Sequence, residues 1–185
     1  MGLVGSEMCI RDRLWTINMS FKYKVEESKL PEVKVFTPDP HTDYRGTMWT
    51  HWDDSMDTPQ SNISKFTRSR KNVLRGLHGD NETWKHITCV YGAFYLVVVD
   101  YREDSPNYLQ WDSFVLDDKN MKSVLVPPGF INGHLCLSDE CIFHYTQSYP
   151  NDYIDWQDQI SVKWNDPMLK VEWPIHNPIL YGRDK

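Results

Sequence analysis

A guanidinium, an imidazole and a carboxylate stand close together in the stretch Asn72-Val-Leu-Arg-Gly-Leu-His-Gly-Asp80. Val73, Leu74 and Leu77 are apolar, so the segment reads as a buried strand with polar groups emerging at its tip. Imidazole titrates near neutral pH, which suits His78 to proton transfer. Arg75 offers a planar fork of N–H donors of the kind that matches phosphate. Taken alone, the stretch would equally accommodate a satisfied core histidine beside a surface arginine, because short motifs carry little information by themselves. Lys85, next to Trp84, reads by itself as a lysine snorkelling at a strand end. Tyr145, in an apolar run, reads by itself as a core tyrosine that needs one hydrogen-bond partner.

The elements that must position these groups are short strands. Residues 33–36 alternate enough to make a first strand, closed by Pro38 and Pro40. His41-Thr-Asp-Tyr-Arg-Gly46 is a polar, turn-like stretch, and residues 53–61 form an acidic loop. Residues 63–67 and 73–78 read as strands, and Gly79-Asp-Asn-Glu82 as a turn. The strongest β signal covers residues 87–91 and 93–99, β-branched and aromatic with Gly92 between them. Further strands are expected over residues 111–116, 123–126, 130–136 and 141–146. Helical periodicity is nearly absent. Strands at such spacing predict an all-β antiparallel sandwich or barrel.

Composition narrows the function. One domain of 185 residues buries a full core without staples. A net charge of −6 and the lack of a dense Lys/Arg cluster argue against nucleic-acid binding. The one basic run, Lys65, Arg68, Arg70 and Lys71, alternates as a strand would and reads as a solvated face from which a cation could meet a small ligand's phosphates. No P-loop and no GxGxxG is present, and no apolar run approaches a membrane span. The four cysteines, Cys9, Cys89, Cys136 and Cys141, lack CxxC spacing and read as reduced and structural, which suits a cytoplasmic protein. Met1-Gly-Leu-Val-Gly-Ser6 formally matches an N-myristoylation pattern, but residues 1–18 look like neither anchor nor fold and contain no signal-peptide h-region. They read as a non-native or disordered leader, with a single domain over residues 19–185.

Several motifs fall in register along this domain: Asp43-Tyr-Arg-Gly46, Val73-Leu-Arg-Gly-Leu-His78 followed by Lys85, Pro127-Pro-Gly-Phe130, Trp164-Asn-Asp-Pro167 with Val171-Glu-Trp-Pro174, and Pro178-Ile-Leu-Tyr-Gly-Arg-Asp184. In order and spacing the set resembles the dTDP-4-dehydrorhamnose 3,5-epimerase family, nucleotide-sugar epimerases with a cupin jelly-roll fold. Five further stretches, His78-Gly-Asp80, Thr88-Cys-Val-Tyr-Gly92, Val97-Val-Val-Asp100, Gly129-Phe-Ile-Asn132 with His134, and Asp152-Tyr-Ile-Asp155, are similar to the branch acting on GDP-linked 4-keto-heptoses.

The resemblance implies epimerisation of a nucleotide-linked 4-keto sugar at C3, C5 or both, in surface-polysaccharide or deoxysugar biosynthesis. Its base matches His78 and its orienting carboxylate Asp184; Lys85 matches the cation that stabilises the enolate. The acid on the far face matches Tyr145 within the strand, with Tyr149 as second choice. Arg75 matches the diphosphate contact, and Asp80, Asn132, His134 and Tyr149 complete the implied substrate contacts. Arg45 matches an arginine that reaches the neighbouring subunit's site, so a homodimer is implied. Asn132 and Thr88 stand where rhamnose-type members have histidine and arginine, which points away from dTDP-4-keto-6-deoxyglucose as substrate. No cofactor is implied. The metal-binding cupin pattern is absent, since His78-Gly-Asp80 replaces a His-x-His pair. Two competing expectations are a 3,4-ketoisomerase of the same substrate class and a non-catalytic sugar-binding cupin.

Overall fold

The structure, a computed structural model, describes residues 23–184. The leader over residues 1–18 and Cys9 lie outside the described residues. Thirteen strands follow in chain order: β1 (Tyr23–Glu27), β2 (Lys34–Pro38), β3 (His41–Asp43), β4 (Gly46–Met48), β5 (Ile63–Arg70), β6 (Leu74–Gly79), β7 (Trp84–Tyr91), β8 (Ala93–Asp100), β9 (Trp111–Asp117), β10 (Ser123–Val126), β11 (Phe130–Cys136), β12 (Glu140–Ser148) and β13 (Ile160–Ser161). Among the described residues, one 3-10 turn at Gly182–Asp184 is the whole helical content. A six-stranded sheet runs β1-β2-β10-β7-β12-β5 and a five-stranded sheet runs β13-β6-β11-β8-β9, with all pairings antiparallel. The two sheets face one another as a cupin-type jelly roll.

Strand β8 shows why its sequence reads as an unbroken apolar run rather than an alternating one. Phe94, Leu96 and Val98 enter the core between the sheets, against Ile87, Val124 and Phe143. Val97 and Val99 point the other way, into a second core with Leu74, Leu77, Ile131, Leu169 and Trp173. The chain beyond β13 supplies that second layer, and Trp173 is fixed there by donating Nε1–H to the Trp164 carbonyl at 2.8 Å. The tail then runs beside the entry to β6, with Ile179 N donating to Asn72 O (2.8 Å) and Leu74 N to Ile179 O (3.0 Å). This docking delivers the 3-10 turn, and Asp184 with it, to the barrel interior.

Strand alternation should put Arg75 and His78 on opposite faces, since they differ by an odd number of residues. Both nonetheless face the space between the sheets. The β6–β11 register shifts between Asn132 and His134, and Gly76 takes φ +121° opposite that shift. The irregularity resets the alternation, as a bulge does. It also requires glycine: a Cβ on Gly76 would stand 2.4 Å from the Gly133 Cα, and one on Gly79 would stand 2.2 Å from the Phe130 carbonyl oxygen. The two glycines that flank the histidine are therefore packing residues that let β6 and β11 approach closely.

The expected strands are all found; three keep their expected length, three are longer by one residue, and β5, β7 and β12 are each longer by three. The polar stretch expected as a turn at residues 41–46 is a turn flanked by its own short strands, the β3–β4 hairpin (His41 paired with Met48), which stands off the body with Tyr44 and Met48 exposed. Nothing apolar alternates there to announce a strand. Of the basic run, Lys65 lines the interior, while Arg68 and Arg70 face solvent and Lys71 pairs with Asp139. Cys89, Cys136 and Cys141 are buried and unpaired, and no described helix is long and apolar enough to cross a membrane.

Candidate active site

An open cavity of about 530 Å³ lies between the sheets. Arg75 and His78 enter from β6, Lys85 from β7, Asn132 and His134 from β11, Tyr145 from β12 and Asp184 from the tail. These seven residues were expected from the sequence to act together, and the fold brings them to one space.

His78 is held on both ring nitrogens. Its Nε2 lies 2.9 Å from Asp184 Oδ1, although the carboxylate sits off the N–H axis, so the contact is one of charge rather than an aligned hydrogen bond. Its Nδ1 accepts from Arg183 Nη2 at 2.6 Å. Burial lowers the His78 pKa below its ordinary value; Asp184 opposes that shift, and the cations of Arg183 and Lys85 add to it. His78 is therefore a neutral imidazole at neutral pH. Asp184 is only 4% exposed, and its own pKa is lowered because His78, the Gly76 N–H and Arg183 outweigh the cost of burial.

Lys85 is buried, and burial brings its pKa down to about 8. Its ammonium donates to the His78 carbonyl (3.2 Å) and to Asn132 Oδ1 (3.0 Å). It thus stands beside His78 and points at the same space. Tyr145 is half-buried against Phe143, with its pKa raised by burial and partly restored by Lys65. Arg75 donates Nε–H to Ser69 Oγ at 3.1 Å. His134 stacks on Phe143 with ring centroids 4.1 Å apart, and burial drops its pKa to about 3. The buried atoms His134 Nε2 and Gln147 Oε1 have no hydrogen-bond partner among the described residues, and both residues line the cavity.

Two residues expected at the site, Asp80 and Tyr149, lie elsewhere, and Arg45, expected to serve a neighbouring subunit's site, is also outside this cavity. Asp80 is buried behind it, where Oδ1 accepts the Glu82 and Thr83 backbone N–H groups and closes the β6–β7 turn. Tyr149 lies outside the cavity lining, beside Tyr153. Arg45 sits on the exposed β3–β4 hairpin, paired with Asp43 at 2.6 Å. Thr88, expected to alter the sugar or phosphate pocket, instead faces away from the cavity and donates to the Lys122 carbonyl. Sequence reasoning missed Arg183, Gln147 and the cavity-lining pair Asp155 and Trp156 as working residues. For Arg183 the signal was its place next to Asp184; for Gln147, its place two residues beyond Tyr145 on the same strand face.

Among the described residues no set of three His, Cys, Asp or Glu side chains converges as metal ligands would. What the cavity does offer is a neutral imidazole backed by a carboxylate, a phenol, an ammonium and a guanidinium. That is an inventory for moving a proton on and off carbon beside a carbonyl, with a cation for the oxyanion.

Comparison with known proteins agrees with this chemistry. The family profile described as dTDP-4-dehydrorhamnose 3,5-epimerase matches residues 27–185. A dTDP-4-dehydrorhamnose 3,5-epimerase of Shigella flexneri is 31% identical over 172 residues, covering 86% of this chain and 92% of the relative. One from Mycobacterium tuberculosis is 34% identical over 176 residues, covering 87% and 84%. Among solved structures, a dTDP-6-deoxy-D-glucose-3,5-epimerase of Legionella pneumophila in complex with dTDP-4-keto-L-rhamnose superposes with a TM-score of 0.82 at 27% identity, covering 88% of this chain and 90% of that one. A 3'-monoepimerase of Streptomyces bikiniensis in complex with dTDP-quinovose superposes with a TM-score of 0.78 at 26% identity, covering 86% and 84%. With its fold, its cavity and the profile match over nearly the whole described domain in agreement, this chain belongs to the dTDP-4-dehydrorhamnose 3,5-epimerase family.

Proposed function

We propose that this epimerase of a nucleotide-linked 4-keto sugar moves its protons with His78 and Tyr145, backed by Asp184 and Lys85. The observation that carries the assignment is the convergence of all four on one cavity. A hydrogen on the carbon next to a ketone is acidic because the carbanion delocalises onto the carbonyl oxygen. His78 takes that proton, and Asp184 stabilises the imidazolium that forms. Lys85, in its ammonium form, stabilises the C4 enolate oxygen. Tyr145 returns a proton to the opposite face of the carbon, which inverts it. Arg75 meets the diphosphate, while Asn132 and His134 border the sugar.

The relatives named above act on dTDP-linked sugars, one as a monoepimerase and others at both C3 and C5. The replacement of histidine by Asn132 favours a different sugar, of which a GDP-linked 4-keto-heptose is the leading candidate. The exposed β3–β4 hairpin carrying Arg45, together with exposed Trp49, Trp52 and Phe66, favours a homodimer in which Arg45 serves the neighbouring site. Free buried cysteines favour a reducing, cytoplasmic setting.

The test is proton-deuterium exchange followed by NMR in D2O, with GDP-4-keto-heptose and dTDP-4-keto-6-deoxyglucose offered separately. Deuterium entering C3 or C5 identifies the nucleotide and counts the centres. Its retention in His78→Asn would overturn the assignment of the base. Sedimentation of wild type and Arg45→Ala, with turnover of each, tests the dimer.

A further inference from the structure

A base must have a vacant lone pair, and in this structure the catalytic imidazole has none. Arginine can only donate, so the 2.6 Å contact from Arg183 Nη2 fixes Nδ1 of His78 as the unprotonated nitrogen. The proton must then sit on Nε2, the nitrogen that faces Asp184. Both edges of the ring are thus engaged, one by a carboxylate and one by a guanidinium. Arg183 also donates Nη1 to the Trp156 carbonyl at 2.6 Å, and its guanidinium lies 5.5 Å from the Trp156 ring centroid. Trp156 is 54% exposed at the cavity rim. One side chain therefore ties together the tail, the base and the rim.

We propose that Arg183 is a positioning residue that masks the His78 lone pair in the free enzyme and is drawn off by the diphosphate of the incoming substrate. The inference rests on His78 being the base. Arg183 lines the same cavity as Arg75 and Lys65, where a diphosphate would collect cations. Its neighbour Asp184 is held separately, by burial and by the Gly76 N–H at 3.4 Å, so the guanidinium can swing away while the carboxylate stays. Arrival of the diphosphate then does two things at once: it gains a ligand and it frees the base. A sugar without the diphosphate would leave the base masked.

The test reads His78 directly and needs no turnover. The charged or titratable groups around the ring are Asp184, Arg183 and Lys85, with Arg75 and His134 on the same cavity wall. In wild type labelled with 15N-histidine, inorganic pyrophosphate is added and the His78 titration midpoint followed. Removing a touching cation raises a histidine midpoint by about one pH unit, so pyrophosphate should move it up by roughly that amount. In Arg183→Met the midpoint should start about that much higher and move far less when pyrophosphate is added. Arg183→Lys, which keeps the cation but not the fork, should fall between the two.

A pyrophosphate response equal in wild type and Arg183→Met would overturn the proposal, because the anion would then be acting on His78 through space alone. So would an unchanged starting midpoint in Arg183→Met. A tail dislodged by the substitution is recognised separately, since it takes Asp184 away together with residue 183, so Arg183→Met and the Arg183→Met, Asp184→Asn double variant would then share one His78 midpoint. That outcome also counts against the latch. Deuterium exchange into substrate by wild type tests the underlying epimerase assignment independently, so the two failures are distinguishable.

Discussion

Replacing Asp184 by Asn changes one atom at the orienting carboxylate and removes its charge. In the wild type, Oδ1 lies 2.9 Å from Nε2 of His78, and both side chains are largely shielded from water, at 6% and 14% side-chain exposure. At an effective dielectric constant of about 20, unit charges at that distance attract by about 6 kcal/mol. The imidazolium charge is only part-formed in the transition state, so about half of this, or about 3 kcal/mol, is lost from catalysis. That corresponds to a fall in kcat of about 100-fold. The pH dependence supplies a second readout. Asp184 raises the His78 pKa against burial and Arg183, so its removal lets that pKa fall further. The acid limb of kcat/KM, which reports the free enzyme's base, therefore moves to lower pH in Asp184→Asn. Solvent deuterium wash-in, measured between pH 5 and 9, gives both numbers. A kcat within threefold of wild type, with the acid limb unmoved, would refute the argument that the carboxylate works through the imidazolium.

Three more outcomes follow from the same geometry. Tyr145→Phe keeps the ring against Phe143 but removes the phenol, so deuterium should still enter the substrate while net inversion falls about 100-fold or more; undiminished inversion would move the acid elsewhere. Lys85 is held to a pKa of about 8, so kcat/KM should fall as pH rises through that value, and Asn132→Ala, which takes an acceptor from the ammonium, should bring this basic limb to lower pH. A basic limb that stays where it was would separate Asn132 from the lysine. The third outcome concerns stability. His51 and His86 stack with ring centroids 4.5 Å apart on the far side of the six-stranded sheet, and burial lowers their pKa values to about 4 and about 3. Between pH 6.5 and those values the unfolded chain binds protons that the folded chain excludes, so stability is complete above about 6.5 and is lost as pH falls. The urea midpoint should drop between pH 7 and 5, and His86→Asn should flatten that dependence; a midpoint constant over this range would count against the buried neutral pair.

The amount of this site that the sequence revealed depended on whether each residue's signal was local. His78 and Arg75 announced themselves because glycines and apolar residues surround them. The structure shows that those glycines permit the close β6–β11 approach, and that the irregular register there turns both side chains inward. Lys85 and Tyr145 carried no local signal, since a lysine at a strand end and a tyrosine in an apolar run are ordinary; their roles came from register with a family pattern. Asp80 misled for the converse reason. A carboxylate two residues from a histidine looks like chemistry, but at the start of a turn it serves the backbone N–H groups of Glu82 and Thr83.

Arg183 is the instructive omission. Read along the chain, it is one basic residue in a closing segment, and its neighbour Asp184 already had a role. Its effect on His78 arises from a contact between residues 105 apart in sequence, made because the tail docks along β6. Pattern reading finds residues whose chemistry a motif requires. It does not find residues whose chemistry comes from opposing the motif, because a group that restrains a base has no composition of its own. The same short turn carries both Asp184, which we propose makes His78 a better base, and Arg183, which we propose withholds its lone pair. On the proposed assignment the tail is both part of the catalytic apparatus and a means of keeping that apparatus idle until a diphosphate arrives.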